Sequence, residues 1–226
     1  MTLAVEPLDF GETEVVLISY ELAGVRGADL LPIGLHETIP TLLTITAWRA
    51  VDIEMVQLRL SCRAGVRARA MLVGGAAQGS LAKALAEGWA YPPPTSATVR
   101  VERRYDRVAV AVVDAGVTVL DVSVEDPRPI AAGDVQHVVG LNRGFVEGRG
   151  DRLVQVEPHF EPLRAERGRP HVGAFDGAWF GDPRVTPAHP VAATISVGHL
   201  TLPPPRFAQR PDLPAWEGTE TLAPTG

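Results

Sequence analysis

The sequence predicts a mainly β protein, an antiparallel barrel or sandwich that carries one short helix. Apolar residues recur with a period of two through nine or ten separate segments. Only one segment shows a helical pattern. The links between segments are short, which suits neighbouring antiparallel strands better than crossover connections.

The elements follow in order. The segments "EVVLISYEL" (14–22), "TLLTITAWRA" (41–50), "MVQLRLSCRAG" (55–65) and "RARAMLVG" (67–74) read as strands. The segment "SLAKALAEG" (80–88) reads as the helix, with Ser80 as N-cap and Gly88 as its stop. A meander follows in "ATVRVERRY" (97–105), "RVAVAVVDAG" (107–116) and "VTVLDVSVED" (117–126), with Asp114-Ala115-Gly116 placed for a short hairpin turn. Three further strands are predicted in "DVQHVVGLN" (134–142), "DRLVQVEPHF" (151–160) and "VAATISVGHLTL" (191–202). Residues 164–190 are dense in Gly and Pro without a clear period, so they are predicted as a long functional loop or oligomer contact. The tail after Phe207 is predicted as extended and partly disordered.

A chain of 226 residues can enclose one sizeable core, and one domain over 1–226 is expected, with two small ones as the alternative. A net charge of −6 lacks the basic footprint of a nucleic-acid binder and gives no attraction to an anionic membrane. No apolar run is long enough to span a bilayer and no basic leader precedes one, so a cytoplasmic protein is expected. Cys62 is the single cysteine, which leaves no internal disulfide and no multi-cysteine zinc site. Its place in an apolar strand reads as a buried, inert thiol. Lys83 is the single lysine among 21 basic residues, so amine catalysis has one side-chain agent at most.

Several motifs read as structure rather than chemistry. Ser80-Leu81-Ala82-Lys83 has the S-x-x-K spacing of an acylating serine, but the K-T-G strand that chemistry needs would require a second lysine. Gly74-Gly75 with Gly79 lacks the G-K-[ST] of a phosphate loop and reads as a strand-to-helix turn. None of the six histidines is spaced as a metal pair, and neither metal nor cofactor is expected. His36 beside Glu37 is a candidate tuned base, against the reading of a solvated loop pair. On the strand "MVQLRLSCRAG", Gln57, Arg59, Ser61 and Arg63 share one face, opposite Val56, Leu58, Leu60 and Cys62. Two arginines and an amide on one face make either an anion-binding wall or the wet side of an antiparallel sheet.

The order of short segments carries more than any single motif. A strand with Gln57 near its start leads to "CRAGV", then to "LVGG", a short helix and "GWAYPPPTSATV". After these come "DVQHVVGLN", "RLVQVEP" and "TLPPPRF". In this order the sequence resembles the acetoacetate decarboxylase superfamily from about Tyr20 to Phe207. The resemblance implies a β-rich cone or barrel of antiparallel strands around a mostly apolar pocket, assembled as a homo-oligomer.

In decarboxylating members a segment of the type G-Y-P-K-K-x-A follows the helix. Its first lysine forms a Schiff base with a β-keto acid, and the second helps lower the first one's pKa. Here the segment reads Ala90-Tyr91-Pro92-Pro93-Pro94-Thr95-Ser96-Ala97. Tyr91, Pro92 and Ala97 match, while Pro93 and Pro94 stand at the two lysine positions. The family's strand carboxylate falls at or near Gln57, and the arginine expected near "FGETEVV" has no counterpart. Lys83 belongs to the helix, ten residues before Pro93, and reads as a solvated residue.

The resemblance therefore implies a small-molecule enzyme without the imine. It would be a lyase-, dehydratase- or cyclase-type activity on an oxo acid or polyketide-like substrate. Tyr91, Gln57 and Arg59 are the candidate catalytic residues, and Trp89, Pro93, His36 and Trp48 the candidate pocket residues. The alternatives are a catalytically silent binding protein on the same scaffold and a decarboxylase that uses Lys83.

Overall fold

The computed structural model describes residues 6–22, 39–64, 67–88, 97–135, 144–147, 153–156, 158–180, 183–204, 206–208 and 220–221. The strands are β1 (Leu8–Leu22), β2 (Ile39–Ala50), β3 (Ile53–Ala64), β4 (Arg67–Gln78), β5 (Thr98–Arg103), β6 (Arg107–Asp114) and β7 (Val117–Ile130). They continue with β8 (Gly144–Glu147), β9 (Leu153–Val156), β10 (His159–Phe175), β11 (Pro187–Leu202), β12 (Arg206–Ala208) and β13 (Glu220–Thr221). The helix α1 spans Ser80–Gly88.

The strands join in the order β12-β9-β8-β4-β3-β2-β1-β11-β10-β7-β6-β5, with β13 also on β4. Every pairing is antiparallel except β4 with β8. The run from β4 round to β5 rolls into a nearly closed barrel. Its inside is dry and rich in valine. Val16 and Ile18 of β1, Ile45 of β2, Leu58 of β3, Val99 of β5, Val110 of β6, Val122 of β7 and Ile195 of β11 meet in one cluster. The period-two pattern of these strands is the sequence record of that packing.

The barrel closes without a strand ladder. At its free edge, β5 turns the backbone groups of Val99 and Val101 toward β4, β3 and β2, and side chains meet them. The Gln78 carboxamide accepts from Val99 N at 3.1 Å and donates to Val99 O at 2.5 Å, as a neighbouring peptide group would. Val101 N donates to Glu54 Oε1 at 3.5 Å, and Arg49 Nη1 donates to Val101 O at 2.9 Å. Further along the seam, Phe180 fills the barrel beside Gly74, where an added Cβ would come within 2.8 Å of Phe180 O.

The hairpin between β6 and β7 is the one expected. Ala115 (φ 47°) and Gly116 (φ 81°) both take the left-handed backbone of a two-residue turn. The helix is also where the sequence places it, Ser80–Gly88. Gly79 (φ +106°) precedes it, so close to the β2–β3 turn that a Cβ would lie 2.3 Å from Asp52 O. Leu81 N donates to Asp52 O at 3.4 Å, so part of the first turn is satisfied by that hairpin. Gly74 and Gly75 lie within β4, which runs on to Gln78, so the strand-to-helix turn falls at Gly79 instead.

Two expectations are corrected. Residues 164–175 are not a loop but most of β10, the longest strand, and 187–190 already belong to β11. The period is hidden because β10 shifts register against β7 between Arg167 and Arg169 and again between Val172 and Ala174. Gly168 is needed there because a Cβ would sit 2.5 Å from Glu125 O. The second correction concerns "DVQHVVGLN": Asp134 and Val135 lie in a helical turn, their N–H groups donating to Ala131 O and Ala132 O. The rest of that segment lies outside the described residues. Part of the tail is also sheet, since β12 pairs with β9 and β13 with β4.

Candidate functional site

The strand β3 is buried on both faces, which an antiparallel strand with one wet side would not be. Met55, Val56, Gln57, Leu58, Arg59 and Leu60 are each no more than 2% exposed. Val56, Leu58 and Leu60 enter the barrel. Met55, Gln57 and Arg59 point the other way, onto the barrel's outer face, where β1 to β4 and β11 are covered. For Gln57 and Arg59 this removes the reading of a solvated sheet face. The side chains of Ser61, Cys62 and Arg63 lie outside the described residues.

The register builds the site from this face. Arg59 is opposite Thr44 on β2, which is opposite Ser19 on β1. One step along, Gln57 is opposite Thr46, then Leu17 on β1, then Thr194 on β11. The next row is Met55, Trp48, Val15 and Ser196. Ser19, Thr44, Thr46, Gln57, Arg59, Thr194 and Ser196 are all buried. Beside this polar band the same face turns apolar, with Phe10, Trp48, Met55, Leu72 and Leu200 packed against Leu85 of α1.

The polar band has an internal order. Arg59 Nη2 donates to Gln57 Oε1 at 2.9 Å, which fixes the amide so that its NH2 faces outward from the guanidinium. Among the described residues that NH2 reaches only Met55 Sδ, at 3.6 Å, a weak acceptor. Ser19 Oγ and Thr44 Oγ1 are 3.3 Å apart. Trp48 Nε1 is buried and meets no acceptor among the described residues, while its ring meets Phe10 edge-on at 6.2 Å. A small cavity lies beside Gln57, bounded by Met55, Gly75, Ala77, Ala82 and Leu85, with space for about one water molecule.

A second polar cluster lies at one mouth of the barrel. Glu14 is 6% exposed and bridges Arg49 (2.6 Å) and Arg103 (2.8 Å), and Arg103 also meets Glu166 at 2.7 Å. Burial works to lower the Arg103 pKa, and the hydrogen bonds and charges of Glu14 and Glu166 outweigh it and raise it. Inside the barrel, burial alone pushes the Tyr20 phenol up to about 12. Its hydroxyl has no partner among the described residues.

Three of the predicted site residues, Gln57, Arg59 and Trp48, thus share one buried face. Tyr91, Trp89, Pro93 and His36 lie outside the described residues. Lys83 is on α1, and its side chain is likewise outside them. The hydroxyl rows were missed, although "TLLTIT" and "ATIS" carry their signal: a hydroxyl at alternate positions of an otherwise apolar strand. No group of three His, Cys, Asp or Glu that could hold a metal occurs among the described residues. No helix among them is long and apolar enough to cross a membrane.

No protein-family model matches the chain, and no curated protein matches it. Solved structures do. An acetoacetate decarboxylase from Legionella pneumophila aligns with a TM-score of 0.71 at 15% identity, over 91% of this chain and 88% of that one. The enduracididine biosynthesis enzyme MppR complexed with pyruvate aligns at 0.61 and 17%, over 92% and 91%. An acetoacetate decarboxylase-like enzyme from Sphingomonas wittichii aligns at 0.60 and 13%, over 88% and 91%. At these identities the likeness is one of architecture. The chain has the acetoacetate decarboxylase-like fold.

Proposed function

We propose that this chain is a small-molecule enzyme that acts on an oxo acid or polyketide-like substrate by lyase-, dehydratase- or cyclase-type chemistry, without an imine intermediate. The observation that carries the reading is the buried Arg59–Gln57 pair on the covered outer face of the barrel. A guanidinium presents a fork of N–H groups that matches a carboxylate, and it stays charged when buried. In a water-poor layer the attraction is stronger than at a surface.

In this reading Arg59 holds the substrate carboxylate. Gln57, with its oxygen committed to Arg59, offers its NH2 to the substrate's carbonyl oxygen. Negative charge that gathers on that oxygen as a neighbouring bond breaks is met by a fixed donor. Tyr91 supplies a further hydroxyl, on the sequence expectation that its segment lines the same pocket. Pro93 and Pro94 in place of the two lysines support a route without an amine nucleophile. The fold neighbour complexed with pyruvate is consistent with an oxo acid as ligand.

A turnover screen of oxo acids tests the reading, with Arg59→Ala, Gln57→Ala and Tyr91→Phe beside the unaltered protein. Turnover that falls in the first two variants supports it; equal turnover in all removes these residues from the chemistry. Binding without turnover identifies a binding protein on the same scaffold. Borohydride reduction with acetoacetate, followed by intact-mass measurement, should leave the protein unmodified. An adduct on Lys83 would establish the decarboxylase alternative.

A further inference from the structure

Gln57 is buried, and a ligand can reach its NH2 only past what covers it. Among the described residues that cover is α1. Its Ala82 and Leu85 bound the cavity beside Gln57, together with Met55, Gly75 and Ala77. The cavity has space for about one water molecule. Even the smallest oxo acid is several times larger than a water, so this arrangement admits no such ligand to Gln57.

The cover is more weakly built than the sheet beneath it. A helix of nine residues is too short to persist alone and depends on its packing. Its first turn carries no acidic residue and its last turn no basic one, so neither end gains from the helix dipole. Leu85 is the one large side chain it buries fully among the described residues; Leu81 is half-buried, and Ala82 shares the cavity wall with Gly75 and Ala77. The helix start is tied to the β2–β3 turn by the long bond from Leu81 N to Asp52 O, 3.4 Å. Just before it, Gly79 (φ +106°) has a backbone that glycine takes freely. By contrast, β3 is laddered to β2 and β4 along its whole length. Lifting α1 breaks no strand pairing.

We infer that α1 is a gate: it swings off β3 and β4 about Gly79 while the barrel stays folded, and so opens the cavity beside Gln57 to a ligand. That the ligand is an oxo acid rests on the reading of Arg59 and Gln57 above; the opening itself does not. Leu85 sets how often the gate opens, because its burial is the main apolar contribution holding α1 down. Such covers are drawn from the least stable part of a fold, which is what the weak anchorage of α1 provides.

Amide hydrogen exchange of the full chain, resolved by residue, tests this. Amides of α1 should open about a hundredfold more often than those of β3. Leu85→Ala should speed α1 exchange about thirtyfold. Ala84→Gly, which weakens the helix without touching the cavity, should speed it about fivefold and serves if Leu85→Ala does not fold. Val122→Ala in the inner core should speed β3 exchange through global unfolding and leave α1 unchanged. Iodoacetamide labelling of a Met55→Cys variant, located by mass spectrometry, should follow the α1 rate. If α1 and β3 exchange at one rate and Val122→Ala speeds both, α1 opens only with the whole protein and the gate is overturned. Labelling of the Met55→Cys thiol only at the β3 rate overturns it too, because the helix then frays without giving access. Saturating pyruvate should slow α1 exchange, since a ligand beneath the gate holds it shut. Pyruvate that changes no rate tells against the oxo-acid reading, while the exchange pattern still decides the gate.

Discussion

The strands β1, β2 and β3 present two buried faces built to different rules. Toward the barrel they carry Val16, Ile18, Leu43, Ile45, Val56 and Leu58, and water is simply excluded. Toward the covering layer they carry Ser19, Thr44, Thr46, Gln57 and Arg59, buried just as deeply. Since exposure is the same, solvent cannot explain the difference in chemistry. In a common antiparallel sheet the polar side is polar because it is wet. Here it is polar although dry, and burying a cation and three hydroxyls there carries a cost that the inner face avoids. The inner face holds the barrel together; in the proposed reading, a ligand on the outer face would recover that cost.

The sharpest way to break this comparison is Arg59→Ala. Oxo-acid affinity should fall by about two orders of magnitude or more, read by calorimetry, and Gln57 Oε1 is left without its donor. Its inner-face neighbour gives the opposite result: Leu58→Ala should destabilise by about 2–5 kcal/mol. Measured by urea unfolding, that loss should come with unchanged ligand affinity. If Leu58→Ala weakened binding as strongly as Arg59→Ala, the two faces would not be functionally separate.

Smaller effects sharpen the same division. Gln78→Ala removes the amide that serves both backbone groups of Val99. It should cost about 1–3 kcal/mol, with faster amide exchange concentrated in β5. The smallest effect is at Tyr20, the inner face's own polar atom. Its pKa is raised from 10.0 to about 12 by burial, so the folded state holds the phenol proton more tightly than the unfolded chain. The stabilising contribution is therefore complete below pH 10 and is lost as pH rises toward 12, by about 1.4 kcal/mol per pH unit. Tyr20→Phe should flatten that alkaline limb and leave neutral-pH stability within about 1 kcal/mol, because the hydroxyl lost has no described partner.

Parts of this were legible in the sequence and parts were not, for physical reasons. Period-two strands and a positive-φ hairpin are local properties, so β1 to β3, β5 to β7 and the Ala115-Gly116 turn could be read directly. The shared face of Gln57 and Arg59 is equally local. That this face is covered is not, because part of the cover comes from α1. β10 was misread because its bulges break the period and its Gly and Pro mimic loop composition. Gly168 is there for the close approach of Glu125 O, a partner more than forty residues away. The Gln78, Glu54 and Arg49 bonds to β5 leave no sequence signature at all, since each side chain alone is an ordinary surface residue.

Those three side chains have a consequence for how the scaffold can change. A ladder between β4 and β5 would lock the two strands in register, and any insertion between α1 and β5 would have to preserve it. A clasp of single side chains imposes no such register. The sheet therefore sets no register for the connection from Gly88 to Ala97.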